Sequence, residues 1–213
     1  SFYSKPNARS SLPMPASDWA PWWFCAAHIF REVGEIHEMI KPAESMKCIY
    51  HPIGIIHSEH KIPEETPIQP VYAKGCQGRA EIYAPFTAGL KDLAGFSHLY
   101  LLYHFHRAGA MRLEVRPFLQ DVSKGIFATR APDRPNPIGL SIVRLSGIRD
   151  NILFLEEVDI LDGTPLLDIK PYTAKFDRVD DCRSGWQDGV SEETAQRRGK
   201  RGYKGDRGGS GMP

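Results

Sequence analysis

The segment at residues 97–106 is a nearly continuous run of apolar and aromatic residues, with the sequence SHLYLLYHFH. It is too short for a transmembrane helix, which needs about 20 apolar residues. It is rich in the aromatic residues that favour strands. We therefore interpret it as a central strand that is buried on both faces. A chain with such a strand must cover it with further strands or helices.

Shorter strand-like runs flank this segment. They cover residues 49–56, 80–82, 113–117, 125–128, 138–146, 152–160 and 166–169. Residues 90–93 resemble one helical turn that ends at Gly95. Many short strands with glycine and proline turns are typical of a barrel or sandwich. The predicted fold is mainly β with some α, a small β-barrel-like core with flanking short helices. A Rossmann fold is not expected, because no GxGxxG follows a strand.

Composition divides the chain into three regions. Residues 1–45 form an N-terminal extension of unknown role, and residues 46–177 carry the regular strand pattern. Residues 178–213 are polar and rich in glycine and arginine. We predict that this tail is disordered, because it cannot bury enough apolar surface to offset the entropy of ordering it.

Charge and cysteine usage limit the possible partners and compartment. Lysine and arginine total 27 against 26 acidic residues, for a net charge of +1. A nucleic-acid surface must therefore be a local patch. Four widely spaced cysteines contain no CxxC, which favours reduced thiols and a cytoplasmic location; they are Cys25, Cys48, Cys76 and Cys182. No apolar run is long enough for a membrane span.

The motif at residues 125–141, GIFATRAPDRPNPIGLS, contains three closely spaced prolines. Proline fixes its own backbone and keeps the preceding residue extended. The result is a rigid loop that presents Arg130, Arg134 and Asn136. Guanidinium groups suit carboxylates and phosphates. The alternative interpretation is a structural turn with salt-bridged arginines.

The motif at residues 159–172, DILDGTPLLDIKPY, contains a tight-turn signal at Asp162 and Gly163. Backbone amides at such a turn can hold a ligand carboxylate or ribose hydroxyls. Asp168 and Lys170 are two residues apart on an extended segment and so point to one face, where Tyr172 joins them. The alternative interpretation is a hairpin with a surface ion pair.

Histidines supply a weaker signal for a metal. His104 and His106 share a strand face, but no third ligand is evident. His57 and His60 lie in a loop-like region. We expect no metal and interpret these histidines as core or site-lining residues.

Several of these segments together resemble one family. They are residues 53–58 (IGIIHS), 67–70 (PIQP), 96–106, 125–130, 134–141 (RPNPIGLS) and 162–172 (DGTPLLDIKPY). This pattern is similar to the TsaA-like (TrmO) family over residues 48–177. The resemblance implies an S-adenosylmethionine-dependent methyltransferase that acts on N6-threonylcarbamoyladenosine beside the tRNA anticodon, and a homodimer as the working unit.

The resemblance also implies a set of cofactor-binding residues. They are Pro67, Ile68, Gln69, His106, Arg107, Arg130, Leu140, Asp162, Gly163, Thr164 and Pro165. Ile68 and Arg107 depart from the family pattern, which often has arginine and glutamine there.

A mechanism follows as a hypothesis. The acceptor nitrogen is urea-like and needs a general base, for which Asp168 is the first candidate and His106 the second. Arg134, with Lys170, is expected to bind the threonine carboxylate. Asn136 reads a base edge or orients the loop, and Tyr172 lies near the sulfonium. Arginines of the tail add salt-dependent affinity for tRNA or stay solvated.

Two other functions remain open from the sequence. One is a non-catalytic S-adenosylmethionine-binding module, which binds cofactor without methyl transfer. The other is a protein-interaction domain, which binds no cofactor. Gln69, Arg130 and the turn at residues 162–165 together favour a ligand site.

Overall fold

The computed structural model describes residues 48–199, and its centre is a closed barrel of six antiparallel strands. The barrel strands are β1 (Gly54–Ser58), β2 (Gln77–Ile82), β3 (His98–His104), β6 (Ile138–Arg149), β7 (Ile152–Glu156) and β8 (Thr164–Pro171). Around the barrel they follow the order β1-β2-β7-β6-β3-β8. A separate two-stranded sheet pairs β4 (Glu114–Val115) with β5 (Lys124–Gly125). The prediction of a mainly β, barrel-like, non-Rossmann fold is confirmed.

Helical structure in the described range is short and lies outside the barrel. The α-helices are α1 (Ala174–Asp177) and α2 (Glu192–Gly199). The 3-10 helices are Pro63–Glu65, Pro70–Tyr72, Ala84–Leu90, Leu93–Gly95, Ile126–Ala128 and Gly185–Gly189. The turn predicted at residues 90–93 is thus divided between two 3-10 helices. Within the described range, no helix has the length and apolar character that crossing a bilayer requires.

The hydrophobic core fills the barrel interior with aliphatic side chains from every barrel strand. Its buried members are Ile56, Ala80, Ile82, Leu99, Leu101, Tyr103, Val143, Leu153, Leu155, Val158, Ile160 and Leu166. Successive residues of a strand point to opposite faces, so each strand contributes alternate residues. Closing the sheet on itself leaves no exposed edge and lets one face bury this core.

The central strand differs from its prediction on one face. In β3, Leu99, Leu101 and Tyr103 point inward and are buried, whereas Tyr100 and Leu102 point outward and are only half-buried. No second layer of the described chain covers that outer face fully. The apolar run therefore marks a strand with one core face and one apolar outer face.

The first strand begins later than predicted. Ile49 and Tyr50 are more than half exposed, and β1 starts at Gly54. The preceding Pro52 has no backbone N–H to donate to a strand partner, so pairing cannot extend through it.

The tail differs from its prediction up to residue 199. Residues 185–199 contain a 3-10 helix and α2. The indole N–H of Trp186 donates to the Ala128 carbonyl at 2.8 Å, and Arg198 forms two hydrogen bonds with Asp121. These side-chain contacts join the segment to residues 121 and 128, which composition alone did not indicate. Residues 200–213, like residues 1–47, lie outside the described range.

Candidate functional site

A cavity of about 400 Å³ lies where the proline-rich loop meets the segment before the Pro70–Tyr72 turn. Seven predicted site residues line it: Pro67, Ile68, Gln69, Arg130, Arg134, Asn136 and Leu140. The sequence motifs that contribute them are far apart in the chain. The fold brings them together because the whole of β3 pairs with the first part of β6, from Ile138 to Arg144, and this places the loop before β6 beside the end of β3.

Hydrogen bonds hold the proline-rich loop in place. The Asp133 carboxylate accepts the Gly109 N–H at 2.8 Å, and the Asp133 carbonyl accepts the Arg112 N–H at 3.0 Å. The Pro137 carbonyl accepts the Phe105 N–H at 2.8 Å. The prediction of a stiff loop thus has a physical basis in both proline geometry and backbone anchoring.

Arg130 connects this loop to the opposite wall of the cavity. Its guanidinium donates to the side-chain oxygen of Gln69 at 2.7 Å. Arg134 donates to the Thr129 carbonyl at 3.4 Å and so turns its guanidinium along the same loop. The cavity therefore has two cations on one side, which suits an anionic group of a ligand.

Asp159 is a site residue that the sequence analysis missed. Its side chain is buried and lines both the large cavity and a smaller one of about 80 Å³. Ser141 donates its hydroxyl proton to Asp159 at 2.6 Å, and since that proton is used, the Tyr103 hydroxyl donates to Ser141 at 3.0 Å. A buried carboxylate in a cavity is a candidate for proton transfer. It is the first residue of the motif at 159–172, and its signal in the sequence is an acidic side chain between the apolar Val158 and Ile160.

His106 lies in the smaller cavity with Arg107 and Thr164, three predicted cofactor residues. The Thr164 hydroxyl donates to the Leu161 carbonyl at 2.6 Å, so it can only accept from His106 Nδ1, 3.3 Å away. The proton of neutral His106 is thereby placed on Nδ1, and Nε2 keeps the lone pair. Burial, followed by the charges of Arg107 and His104, lowers the pKa of His106 from 6.5.

The predicted turn at residues 162–163 is present, and Gly163 has a φ of +75°, which favours glycine. The Asp162 carboxylate accepts the Ser58 N–H at 3.0 Å and pairs with Lys61 at 2.8 Å. Burial opposes ionisation of Asp162, but these two hydrogen bonds and the Lys61 charge outweigh it, so its pKa is lowered. Asp162 lines a third cavity, about 360 Å³, together with His57 and Lys61.

The remaining predicted residues lie apart from the two cavities that Asp159 lines. Asp168 and Lys170 point to the same face, as predicted, and their side chains form an ion pair of 2.8 Å. Tyr172 packs beside Tyr100, with ring centroids 5.8 Å apart. Asp168, Lys170, Tyr172, Gly163 and Pro165 line neither cavity.

Strand register shows where Asp168 lies. Leu102 of β3 is paired with Leu140 of β6 on one side and with Asp168 of β8 on the other. Neighbouring strands are about 4.8 Å apart, so Asp168 is roughly 10 Å from Leu140 across the outer face of the barrel. This outer face also carries Ile138 and Ile142, which are more than one third exposed.

A fourth, more apolar cavity of about 440 Å³ adjoins the site. It shares Ile68, Gln69 and Arg130 with the first cavity and extends to Phe118 and Trp186. The end of α2 contacts a residue that lines this cavity, because the Gly199 carbonyl accepts the Ile68 N–H at 3.1 Å. The segment that carries Gln69 is therefore held from two directions.

Comparison with known proteins gives a consistent result. The model of the tRNA-methyltransferase O N-terminal domain matches residues 55–178. The chain is 55% identical over 137 residues to a "Probable S-adenosyl-L-methionine-binding protein" of Pyrococcus abyssi, covering 64% of this chain and 74% of that protein. It is 35% identical over 147 residues to the tRNA (adenine(37)-N6)-methyltransferase of Escherichia coli, covering 64% of this chain and 63% of that one.

A solved structure is also similar. The crystal structure of TrmO from Pseudomonas aeruginosa matches with a TM-score of 0.57 and 40% identity, over 66% of this chain and 63% of that chain. The chain thus spans less than two thirds of the length of the Escherichia coli and Pseudomonas aeruginosa proteins.

Proposed function

Because the chain belongs to the family of the tRNA-methyltransferase O N-terminal domain, we propose that it is an S-adenosylmethionine-dependent tRNA methyltransferase. It transfers a methyl group to N6 of N6-threonylcarbamoyladenosine at position 37, in the anticodon loop. The observation that carries this proposal is the convergence of seven motif residues on one cavity beside a buried carboxylate. The reaction takes place in the cytoplasm, where its tRNA substrate is modified.

The cofactor occupies the two adjacent cavities at this end of the barrel, which share Phe105 and Asp159 among their lining residues. Gln69, Arg130 and Leu140 contact it in the larger cavity, and His106, Arg107 and Thr164 contact it in the smaller one. The Asp162–Gly163 turn supports that site through its neighbour Thr164, because the Asp162 carboxylate is already bound to Ser58 and Lys61. S-adenosylmethionine supplies the electrophilic methyl group.

Methyl transfer is an in-line displacement, so the chief task of the site is to hold donor and acceptor in line. The acceptor N6 must lose its proton as the new bond forms. Asp159 is better placed to accept that proton than Asp168, because its carboxylate lines both cavities whereas Asp168 lies on the outer face. Neutral His106, with its lone pair on Nε2, is the second candidate.

The cations of the proline-rich loop bind the substrate. Arg134 lines the cavity and has only one long hydrogen bond of 3.4 Å to the Thr129 carbonyl, so its remaining donors can bind the threonine carboxylate. Asn136 lies in the same wall and orients the base. An anticodon-loop base can be presented unstacked at small cost.

The working unit is a homodimer formed through the outer face of β6, β3 and β8. Ile138 and Ile142 are exposed there to 38% and 39%, so apolar side chains remain on this strand surface. In this dimer Asp168, Lys170 and Tyr172, which share that face, belong to the interface. Light scattering of the wild type and of Ile142→Glu, expected to be dimer and monomer respectively, tests this part.

The function itself is tested with purified protein, S-adenosylmethionine and two tRNA preparations, one carrying the threonylcarbamoyl group and one lacking it. Nucleoside mass spectrometry is expected to find a methylated product only with the modified tRNA. Cofactor binding without any methylated nucleoside supports a binding module instead, and the absence of cofactor binding contradicts the proposal entirely.

A further inference from the structure

Three potential metal ligands converge outside the cavities of the candidate site. The ligand atoms of Glu59, His60 and Cys76 all lie within 4.8 Å of one another. Together they offer a carboxylate oxygen, an imidazole nitrogen and a sulfur, which are the protein donors that Zn²⁺ takes. We propose that these three side chains bind one Zn²⁺ ion, with a water molecule as the fourth ligand.

The tautomer of His60 supports this assignment. His60 is buried, and its Nε2 lies 2.8 Å from the Val158 carbonyl oxygen. A carbonyl can only accept, so Nε2 carries the proton and Nδ1 of the neutral ring keeps its lone pair. A metal-bound histidine characteristically donates its other ring N–H to such a carbonyl, which fixes the ring orientation.

Both ligand segments are held by the same residue. Val158 is fully buried; its N–H donates to the Cys76 carbonyl at 3.3 Å, while its carbonyl accepts from His60. The His60 N–H also donates to the Ser58 hydroxyl at 3.2 Å. His60 and Cys76 are therefore positioned before any ion binds, which reduces the ordering cost of binding.

The cluster of ligands can be reached from solvent, and an ion bound to it would link two segments of the chain. Glu59 is exposed and Cys76 is half-buried, so the cluster is reached from solvent while His60 anchors it from inside. On binding, the Cys76 thiol loses its proton to solvent and binds as the thiolate. The ion joins the segment after β1 to the residue that precedes β2. The bound ion also restrains the turn at Asp162, because the His60 carbonyl accepts the Asp162 N–H at 2.8 Å.

Cobalt titration of the full chain, after removal of metal with a chelator, tests the site without reference to methyl transfer. Co²⁺ is expected to produce a thiolate-to-cobalt charge-transfer band at one equivalent, and Zn²⁺ is expected to abolish it. The band is expected to disappear in Cys76→Ser and to persist in the matched control Cys182→Ser. A wild type without the band, or a band that survives in Cys76→Ser, overturns the proposal.

A second variant keeps the test decisive if Cys76→Ser does not fold. Glu59 is exposed, so Glu59→Gln leaves the fold intact. Its Zn²⁺ affinity, measured by competition with a chromophoric chelator, is expected to fall at least about tenfold. Mutating a residue that only hydrogen-bonds to a metal ligand already costs about 10–100-fold in affinity, so removing a ligand should cost no less. Unchanged affinity in this variant contradicts the assignment.

Discussion

The guanidinium of Arg130 donates a hydrogen bond of 2.7 Å to the side-chain oxygen of Gln69, although 61 positions separate the two residues in the chain. This bond joins the proline-rich loop to the opposite wall of the cavity. Both residues come from motifs that the sequence analysis treated separately, and their contact is the clearest evidence that the motifs form one site.

Arg130 and Gln69 are therefore expected to act as a unit in cofactor binding. In a double-mutant cycle with Arg130→Ala and Gln69→Ala, the losses of S-adenosylhomocysteine affinity are expected to be non-additive by about 0.5–3 kcal/mol, since residues in contact couple by that amount. Calorimetric titration of the four proteins measures the coupling. The control is a second cycle of Gln69 with Arg144, which pairs with Glu156 elsewhere on the barrel, and its losses are expected to be additive. Equal coupling energies in the two cycles contradict the joint action of Arg130 and Gln69.

Arg134→Ala is expected to retain cofactor binding and lose methylation. The side chain lines the cavity with most of its donors available to a substrate carboxylate. Calorimetry and a tritium-methyl transfer assay on the same sample separate the two effects, and Arg144→Ala controls for the loss of a surface charge. Normal turnover in Arg134→Ala refutes its role in binding the threonine carboxylate.

Asp159→Asn is expected to lower kcat by about 10²–10⁴-fold, the contribution typical of a general base. The amide keeps the size of the buried side chain and still accepts the Ser141 hydroxyl at its oxygen. Asp168→Asn serves as the comparison, because Asp168 lies on the outer face with Lys170. Single-turnover rates of both variants show which carboxylate accepts the proton. A large loss of rate in Asp168→Asn alone assigns the proton transfer to Asp168.

The lowered pKa of His106 makes stability depend on pH. The unfolded chain binds the proton of His106 more tightly than the folded one, so the free energy of unfolding falls as the pH drops below the unfolded pKa of 6.5. Replacing His106 by glutamine removes this contribution. Urea unfolding between about pH 5 and 7.5 is therefore expected to show a weaker pH dependence in His106→Gln than in the wild type. Identical slopes contradict the neutral, partly buried state of His106.

The C-terminal helix α2 is expected to support cofactor binding from outside the cavity. Arg198 forms two hydrogen bonds with Asp121, and the adjacent Gly199 carbonyl accepts the Ile68 N–H. Arg198→Ala should release this segment, weaken S-adenosylhomocysteine binding and expose the chain after Ser191 to protease. Arg197→Ala removes a neighbouring charge of the same helix and is the comparison. Equal affinity and equal protease resistance in the two variants contradict this role.

Local signals predicted the short strands of the barrel and the stiff proline-rich wall of the large cavity, whereas its other predicted lining residues followed only from the family resemblance; these are Pro67, Ile68, Gln69 and Leu140. The prolines directly after Arg134 and Asn136 stiffen the loop wherever it lies, and the Asp162–Gly163 turn needs only its own residues. Burial of Asp159 depends on Ser141 of a distant strand, and the position of Asp168 depends on its pairing with Leu102. Those relationships are set by register between strands, which residue patterns do not specify.

The run at residues 152–160 illustrates the same limit. Its alternation indicates a strand, and β7 is present, but Leu153 and Leu155 face the core while Phe154 is partly exposed. The alternation predicts that Ile152 and Phe154 share a face, with Val158 as a further candidate. Ile152 and Phe154 do share the outer face, whereas Val158 follows β7 and is fully buried in the core. Because both faces of this strand carry apolar residues, the pattern does not reveal which face packs into the barrel core.

A crystal structure of the protein with S-adenosylhomocysteine tests the central claim most directly. The ligand is expected to lie in the two adjacent cavities at Gln69, Arg130 and His106, with its sulfur facing the space beside Asp159. Density for the ligand in the cavity lined by His57, Lys61 and Asp162, or at the outer face of β3 and β8, contradicts the account.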